Sequence, residues 1–229
     1  MKVHREISKK RYFVAGIITI LLFTTGLLLG MVFDYGRIQS LETAYQEYDL
    51  NYRSLQLQFN LLDTLDPTQG CLAFNTAISV AMKDLSQSLE DVETYKEVSN
   101  SQKTSFENIQ RKYVLDNIRY WAVVKQAKKI CDINKLNILY FYSLNDCSDC
   151  VDQGTILTYL KQKYGEAVLI FPINVDLLPI ETTIEFLTTS YNVTTYPTIV
   201  VGDEVHTEIV SRENLEDLFC ETVTGVCEE

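Results

Sequence analysis

Histidine is almost missing from this chain of 229 residues: only His4 and His206 occur. That leaves no histidine-based metal cluster and no histidine–cysteine catalytic pair. There is no Gly-rich phosphate loop and no nucleophile elbow, so the motif-borne nucleotide and serine-hydrolase readings fall away. Basic residues are also scarce, 20 Lys and Arg against 31 Asp and Glu, for a net charge of −11. A chain of that balance is a poor partner for nucleic acid or an anionic lipid surface. Acids such as Glu90, Asp91 and Glu93 are scattered as a solvated helix face would be, and paired-carboxylate catalysis has no positional support. Repeats, low-complexity tracts and flexible linkers are absent too, so the parts of the chain are expected to pack together.

What is present begins at the N-terminus. Residues 12–33 carry no charge over 22 positions, and Ile17–Leu29 is nearly all aliphatic. At ~1.5 Å per residue such a helix matches a hydrocarbon core of ~30 Å, which predicts a single transmembrane helix, with a removable signal peptide as the alternative. Residues 1–11 hold five basic groups and one acid, a cytoplasmic basic tail by the positive-inside rule. Residues 34–229 are then expected outside, at a cell membrane or an endoplasmic reticulum membrane, carrying −15 once the +4 of the tail is set apart. Six cysteines in an exported chain read as three pairs.

Residues 34–131 read as a helical bundle or stalk. Ile38, Leu41, Tyr45, Tyr48, Tyr52, Leu55, Phe59 and Leu62 recur at threes and fours, a long amphipathic stripe open to coiled-coil dimerisation. Asp66-Pro67-Thr68-Gln69-Gly70 breaks it. A helix is predicted over 71–98 on Phe74, Ile78, Ala81, Leu85, Leu89 and Val92, a turn at 99–101, and a second helix over 103–130. In that antiparallel hairpin Cys71 faces Cys131, and a disulfide would clamp its base. Cys220 and Cys227 would staple the C-terminal tail.

Residues 132–229 hold the chemistry. Cys147-Ser148-Asp149-Cys150 sits where an apolar run, Asn137–Tyr142, meets a helical pattern, Val151–Tyr164. Two thiols at this spacing face each other across one helical turn and can close a disulfide at little backbone cost. Tyr196-Pro197 opens a further strand 47 residues beyond Cys150, where a missing ladder donor leaves room for a peptide to pair. Strands are predicted at 167–176 and 205–210, with helices at 180–190 and 213–219. Asn192-Val193-Thr194 is a glycosylation sequon, but it falls in an expected strand.

Over roughly 135–220 the chain resembles the thioredoxin superfamily. The resemblance lies in the CxxC, in Ile173-Asn174-Val175-Asp176, and most closely in Tyr196-Pro197-Thr198-Ile199, a cis-proline signature. It implies an α/β thioredoxin-like domain, a central mixed sheet flanked by helices, behind the transmembrane helix and the helical hairpin. It also implies catalytic roles for Cys147 (attacking) and Cys150 (resolving), and substrate binding at Tyr196 and Pro197. The implied partners are protein thiols or disulfides and a redox partner, and no cofactor is needed beyond the dithiol. Departures are visible: Asp146 stands where the family usually has Trp, Ser148-Asp149 is an unusual dipeptide, and Phe141 occupies the place of the buried relay acid. Carboxylates beside the sulfurs oppose a thiolate, which disfavours a strongly oxidising site. A permanently closed structural disulfide, half a zinc site with Cys220 and Cys227, and an ordinary edge-strand role for Pro197 stay open. The expected function is a membrane-anchored, extracytoplasmic thiol–disulfide oxidoreductase, against a redox-inactive interaction module.

Overall fold

Leu136–Tyr142 (β1) has six of its seven residues buried, so both of its faces must be covered. The computed structural model describes residues 13–28, 54, 57, 60, 61, 66–96, 103–225 and 227. The chain divides into two units, Met1–Thr64 and Leu65–Glu229. In the second unit two long helices, Pro67–Lys96 (α1) and Lys103–Ala127 (α2), precede β1. After it come Cys150–Tyr164 (α3), Val168–Asn174 (β2), Thr182–Ser190 (α4), Thr198–Val201 (β3), Glu204–His206 (β4) and Arg212–Thr222 (α5).

The four strands form one sheet in the order β2-β1-β3-β4. β1 runs parallel to β2, with Ile138 opposite Ile170, and antiparallel to β3, with Leu139 opposite Val200. β2 is an edge strand, which is how it tolerates Pro172 opposite Tyr140. Alternation along β1 sorts the core into two layers. Leu139 and Phe141 join Phe171, Ile173, Val124 and Ile184 on the face covered by α1, α2 and α4. Ile138 and Tyr140 join Leu157, Leu160, Leu215 and Phe219 on the face covered by α3 and α5. Arg119 bonds Asp84 at 2.6 Å, tying α2 to α1, and Arg111 bonds the buried Glu181 at 3.2 Å, tying α2 to the start of α4.

Several element ends differ from expectation for identifiable reasons. The Asp66-Pro67 break is a helix start: Asp66 Oδ1 accepts the Gln69 N–H at 3.1 Å, and Pro67 takes the first helical position. β2 stops at Asn174 because its Oδ1 accepts the Asp176 N–H at 3.0 Å, turning the chain into a 3-10 turn over Val175–Leu177. The strand expected over 205–210 ends at His206, and the Val210 N–H is taken by Gln153 Oε1 at 2.8 Å instead of a ladder partner. Asn192 is exposed in a turn ahead of β3, with φ 50°, a conformation asparagine tolerates better than most residues.

The N-terminal expectation needs correction. Among the described residues no helix is long and apolar enough to cross a membrane. The helical stretch described there covers residues 13–28. With the transmembrane helix go the membrane anchoring, the single-pass topology and the extracytoplasmic localisation. The basic tail, the stripe from Ile38 to Leu62 on which a coiled-coil dimer was to rest, and the turn at 99–101 lie outside the described residues.

Gly154, on α3, supplies a stability test. A Cβ there would lie 3.8 Å from Tyr140 Oη, an ordinary van der Waals contact. Gly154→Ala is therefore expected to stabilise the protein by about 0.5–1 kcal/mol, the helix-propensity difference, in urea unfolding. A loss of stability would show that α3 and β1 are packed more tightly than this contact implies.

Candidate functional site

The segment from β1 to α3 is organised by one hydroxyl. Ser143, buried immediately after β1, accepts the N–H groups of Asn145 at 3.1 Å and Asp146 at 2.9 Å on its Oγ. The same Oγ donates to Asp176 Oδ1 at 2.6 Å, and Asp176 Oδ2 accepts the Leu144 N–H at 2.8 Å. Asp176 comes from the 3-10 turn after β2, so a parallel strand neighbour pins the approach to the cysteines. Four hydrogen bonds fix Ser143–Asp146 before Cys147 is reached.

Cys147 and Cys150 are joined in a disulfide, with Cα atoms 5.5 Å apart. Cys150 is the first residue of α3 and is 5 % exposed, whereas Cys147 is half-buried in the loop ahead of it. The two sulfurs thus differ in access. The Tyr140 hydroxyl donates to the Cys150 carbonyl, anchoring the first turn of α3 to the central strand. Tyr140 stacks on Tyr142 with ring centroids 5.3 Å apart. Burial pushes the Tyr140 hydroxyl up to about 12. Tyr142 is also pushed up to about 12, by burial first and then by the neighbouring Tyr113, Tyr140 and Asp176. Both phenols are therefore neutral across the physiological range.

Around the sulfurs the surface is acidic and partly apolar. Asp146, Ser148, Asp149 and Asp152 are all exposed, and so are Leu144 at 69 % and Val151 at 74 %. Asp149 caps α3 without a side-chain bond to the helix; its Oδ1 accepts from Ser148 Oγ at 3.0 Å. Asp152 lies in the first turn. Carboxylates at a helix N-terminus satisfy the dipole that would otherwise favour a thiolate. Phe141 is fully buried on the opposite side of β1 from Tyr140.

The Tyr196–Pro197 peptide bond is cis. Thr198 pairs with Phe141, which places Pro197 at the end of the sheet where β1 gives way to the cysteine loop. Tyr196 packs on the core, and its hydroxyl is raised by burial and then by the charge of Asp176. Asp176 thus holds the cysteine loop by hydrogen bonds and bears on the Tyr196 hydroxyl through its charge.

The other cysteines are also paired. Cys71 joins Cys131, with Cα atoms 5.6 Å apart and 60 residues of separation, and Cys220 joins Cys227. The tail bearing Cys227 is further fixed by Asn134, whose side chain donates to the Thr224 carbonyl at 3.0 Å and accepts its N–H at 3.1 Å. Cys220 and Cys227 therefore bind one another and do not share a zinc site with the CxxC. Among the described residues no group of three or more His, Cys, Asp or Glu is placed to hold a metal ion.

Sequence reasoning missed Ser143, Asp176 as a hub, Tyr140 and Gln153. Gln153 is fully buried three residues after Cys150, and its Oε1 ties α3 to the segment leading into α5. Its position was readable, because Cys150, Gln153, Leu157 and Leu160 share the buried face, but an apolar filter skips a glutamine. Tyr140 gave the signal of a polar handle inside a buried strand.

No protein-family model and no curated protein sequence matches the chain. Among solved structures it is similar to thioredoxin-2, described as a component of malaria parasite protein secretion machinery, at 24% identity and a TM-score of 0.32, over 38% of this chain and 84% of that one. A thioredoxin pre-protein of Schistosoma mansoni matches at 20% identity and a TM-score of 0.32, over 44% of this chain and 90% of that one. The germline-specific thioredoxin Deadhead of Drosophila melanogaster matches at 20% identity and a TM-score of 0.32, over 44% and 93%. The sheet order, the strand directions and the cis-proline before β3 are features of the chain itself, and by them Leu136–Thr222 has a thioredoxin-like fold with a disulfide-bonded CxxC at the start of its first helix.

Proposed function

We propose that the protein is a thiol–disulfide oxidoreductase of the reductase or isomerase type, acting on protein disulfides through Cys147 and Cys150. The observation that carries this reading is the asymmetry of the pair: one sulfur half-buried in a loop, the other closed into the first turn of α3. In the reduced protein the Cys147 thiolate would attack one sulfur of a substrate disulfide, forming a mixed disulfide and expelling the other substrate sulfur as thiolate. Cys150, deprotonated, would then attack Cys147 Sγ, closing the Cys147–Cys150 bond and releasing the second substrate thiolate. Two electrons pass from the dithiol to the substrate, and an external dithiol must restore them. Tyr196 and Pro197, at the same end of the sheet, would border the substrate chain. The alternative, supported by the acidic surroundings that favour the closed pair, is a redox-inactive module whose CxxC disulfide is structural.

Redox equilibration of the full chain separates the two. After incubation in graded thiol buffers, alkylation and peptide mapping report the state of each cysteine pair. Cys147–Cys150 is expected to open first, at a potential nearer the ~−270 mV of thioredoxin than the ~−120 mV of DsbA, since the flanking carboxylates work against the thiolate. A pair that stays closed until the protein unfolds would leave only the structural reading.

A further inference from the structure

After β4 the chain leaves the sheet and crosses toward α3, and three hydrogen bonds mark its course. The Thr198 hydroxyl, at the start of β3, donates to the Thr195 carbonyl at 2.7 Å, closing the turn that carries Tyr196 and Pro197. The Thr195 hydroxyl in turn donates to the Thr207 carbonyl at 3.4 Å. Three residues on, the Val210 N–H donates to Gln153 Oε1 at 2.8 Å. Thr207–Val210 is therefore a strap, fastened at one end to the Tyr196-Pro197 segment and at the other to the first turn of α3, which opens with Cys150. Thr207, Glu208 and Ile209 are exposed along it, and Val210 is buried in the core layer of Tyr140 and Ile199.

Gln153 is an uncommon residue for the place it holds. It is fully buried, on the same face of α3 as Cys150, Leu157 and Leu160. The Val210 N–H can only donate, so the amide must turn Oε1 toward it, and Nε2 is left buried with no partner among the described residues. The penalty for an unpaired buried donor is at least as large as the net gain from one hydrogen bond, so the amide adds little to stability. Its effect is to fix where the strap lies.

We propose that Gln153 is a positioning residue for substrate: through Val210 it holds the strap as a wall beside the cysteines, where exposed Ile209 meets the polypeptide whose disulfide Cys147 attacks. The proposal deepens the oxidoreductase reading and rests on it. Gln153 is buried and does not touch the substrate; it acts through the strap. A polypeptide that passes along Pro197 meets the strap, whereas a small disulfide that reaches only Cys147 does not. Gln153 thus favours polypeptide disulfides over small ones and leaves the thiol exchange itself unchanged.

The test uses the full chain with Cys147–Cys150 reduced, in single turnovers on a small disulfide-bonded protein and on hydroxyethyl disulfide. Gln153→Leu should lower the rate constant on the protein about tenfold, by raising the half-saturating concentration, and leave that on the small disulfide within about twofold. Gln153→Glu keeps an acceptor for the Val210 N–H and should keep the ratio of the two rates. Ile209→Ala, at an exposed position, should lower the protein rate several-fold and spare the small disulfide. The Cys147–Cys150 reduction potential should be the same in Gln153→Leu and Ile209→Ala as in the unsubstituted chain. If Gln153→Leu does not fold, Ile209→Ala decides. Equal losses on both substrates, a protein rate unmoved by either Gln153→Leu or Ile209→Ala, or a loss in Gln153→Glu as large as in Gln153→Leu would each overturn the positioning role and leave the oxidoreductase reading standing. If the unsubstituted chain reduces neither disulfide, that reading fails and the positioning role with it.

Discussion

Cys150→Ala is expected to turn the protein into a trap. With the resolving sulfur removed, a substrate captured on Cys147 has no intramolecular route of release, and mixed disulfides should accumulate on incubation with a disulfide-bonded test protein. Cys147→Ala should trap almost nothing, because Cys150 is only 5 % exposed and its carbonyl is held to Tyr140 within the first turn of α3. Disulfide-reductase turnover should fall to background in both. The readout is non-reducing electrophoresis with mass identification of the bridging peptide. Equal trapping by the two variants would contradict the assigned order of attack. No trapping by Cys150→Ala, while the native pair resists reduction, would favour the interaction-module reading.

The two variants test a placement that was only half legible in the sequence. The CxxC at a strand–helix junction and the Tyr196-Pro197 opening of β3 are local features, written in residue types whose backbone and thiol chemistry is specific. The apolar runs of β1 and β3 were legible for the same reason, since strands covered on both faces are continuously apolar. The Ser143–Asp176 hub was not legible. It joins residues 33 apart through a single hydroxyl and a carboxylate, and neither type is unusual at the end of a strand. Gln153 was hidden because its amide satisfies a backbone N–H 57 residues away, a need that exists only once the chain is folded. The N-terminal span erred in the other direction. A run without charge predicts a spanning helix over 12–33, and among the described residues no helix is long and apolar enough to cross a membrane.

Removal of the Cys71–Cys131 disulfide carries the largest expected effect on stability. The bond closes a loop with 60 residues of separation, against 7 for Cys220–Cys227 and 3 for Cys147–Cys150. In the chain-entropy account, constraint of the unfolded state grows with the logarithm of loop length, reaching about 4 kcal/mol for a loop this long, and measured values commonly fall between about 2 and 4 kcal/mol. The loop encloses α1 and α2, which supply Ala81, Val114, Ile118 and Val124 to one layer of the core. Loosening it therefore acts on the sheet as well as on the hairpin. Cys71→Ala/Cys131→Ala is expected to lose about 2–4 kcal/mol in urea unfolding, while Cys147→Ala/Cys150→Ala should lose distinctly less, its loop being the shortest. The hairpin should not separate in the native state, because Arg119–Asp84 and Arg111–Glu181 still tie α2 to α1 and to the start of α4. Far-UV circular dichroism should accordingly remain native-like as stability falls. If the two double variants lose equal stability, loop closure is not what the Cys71–Cys131 bond contributes. A loss of helicity in the native state would instead make that bond a requirement for the hairpin to form at all.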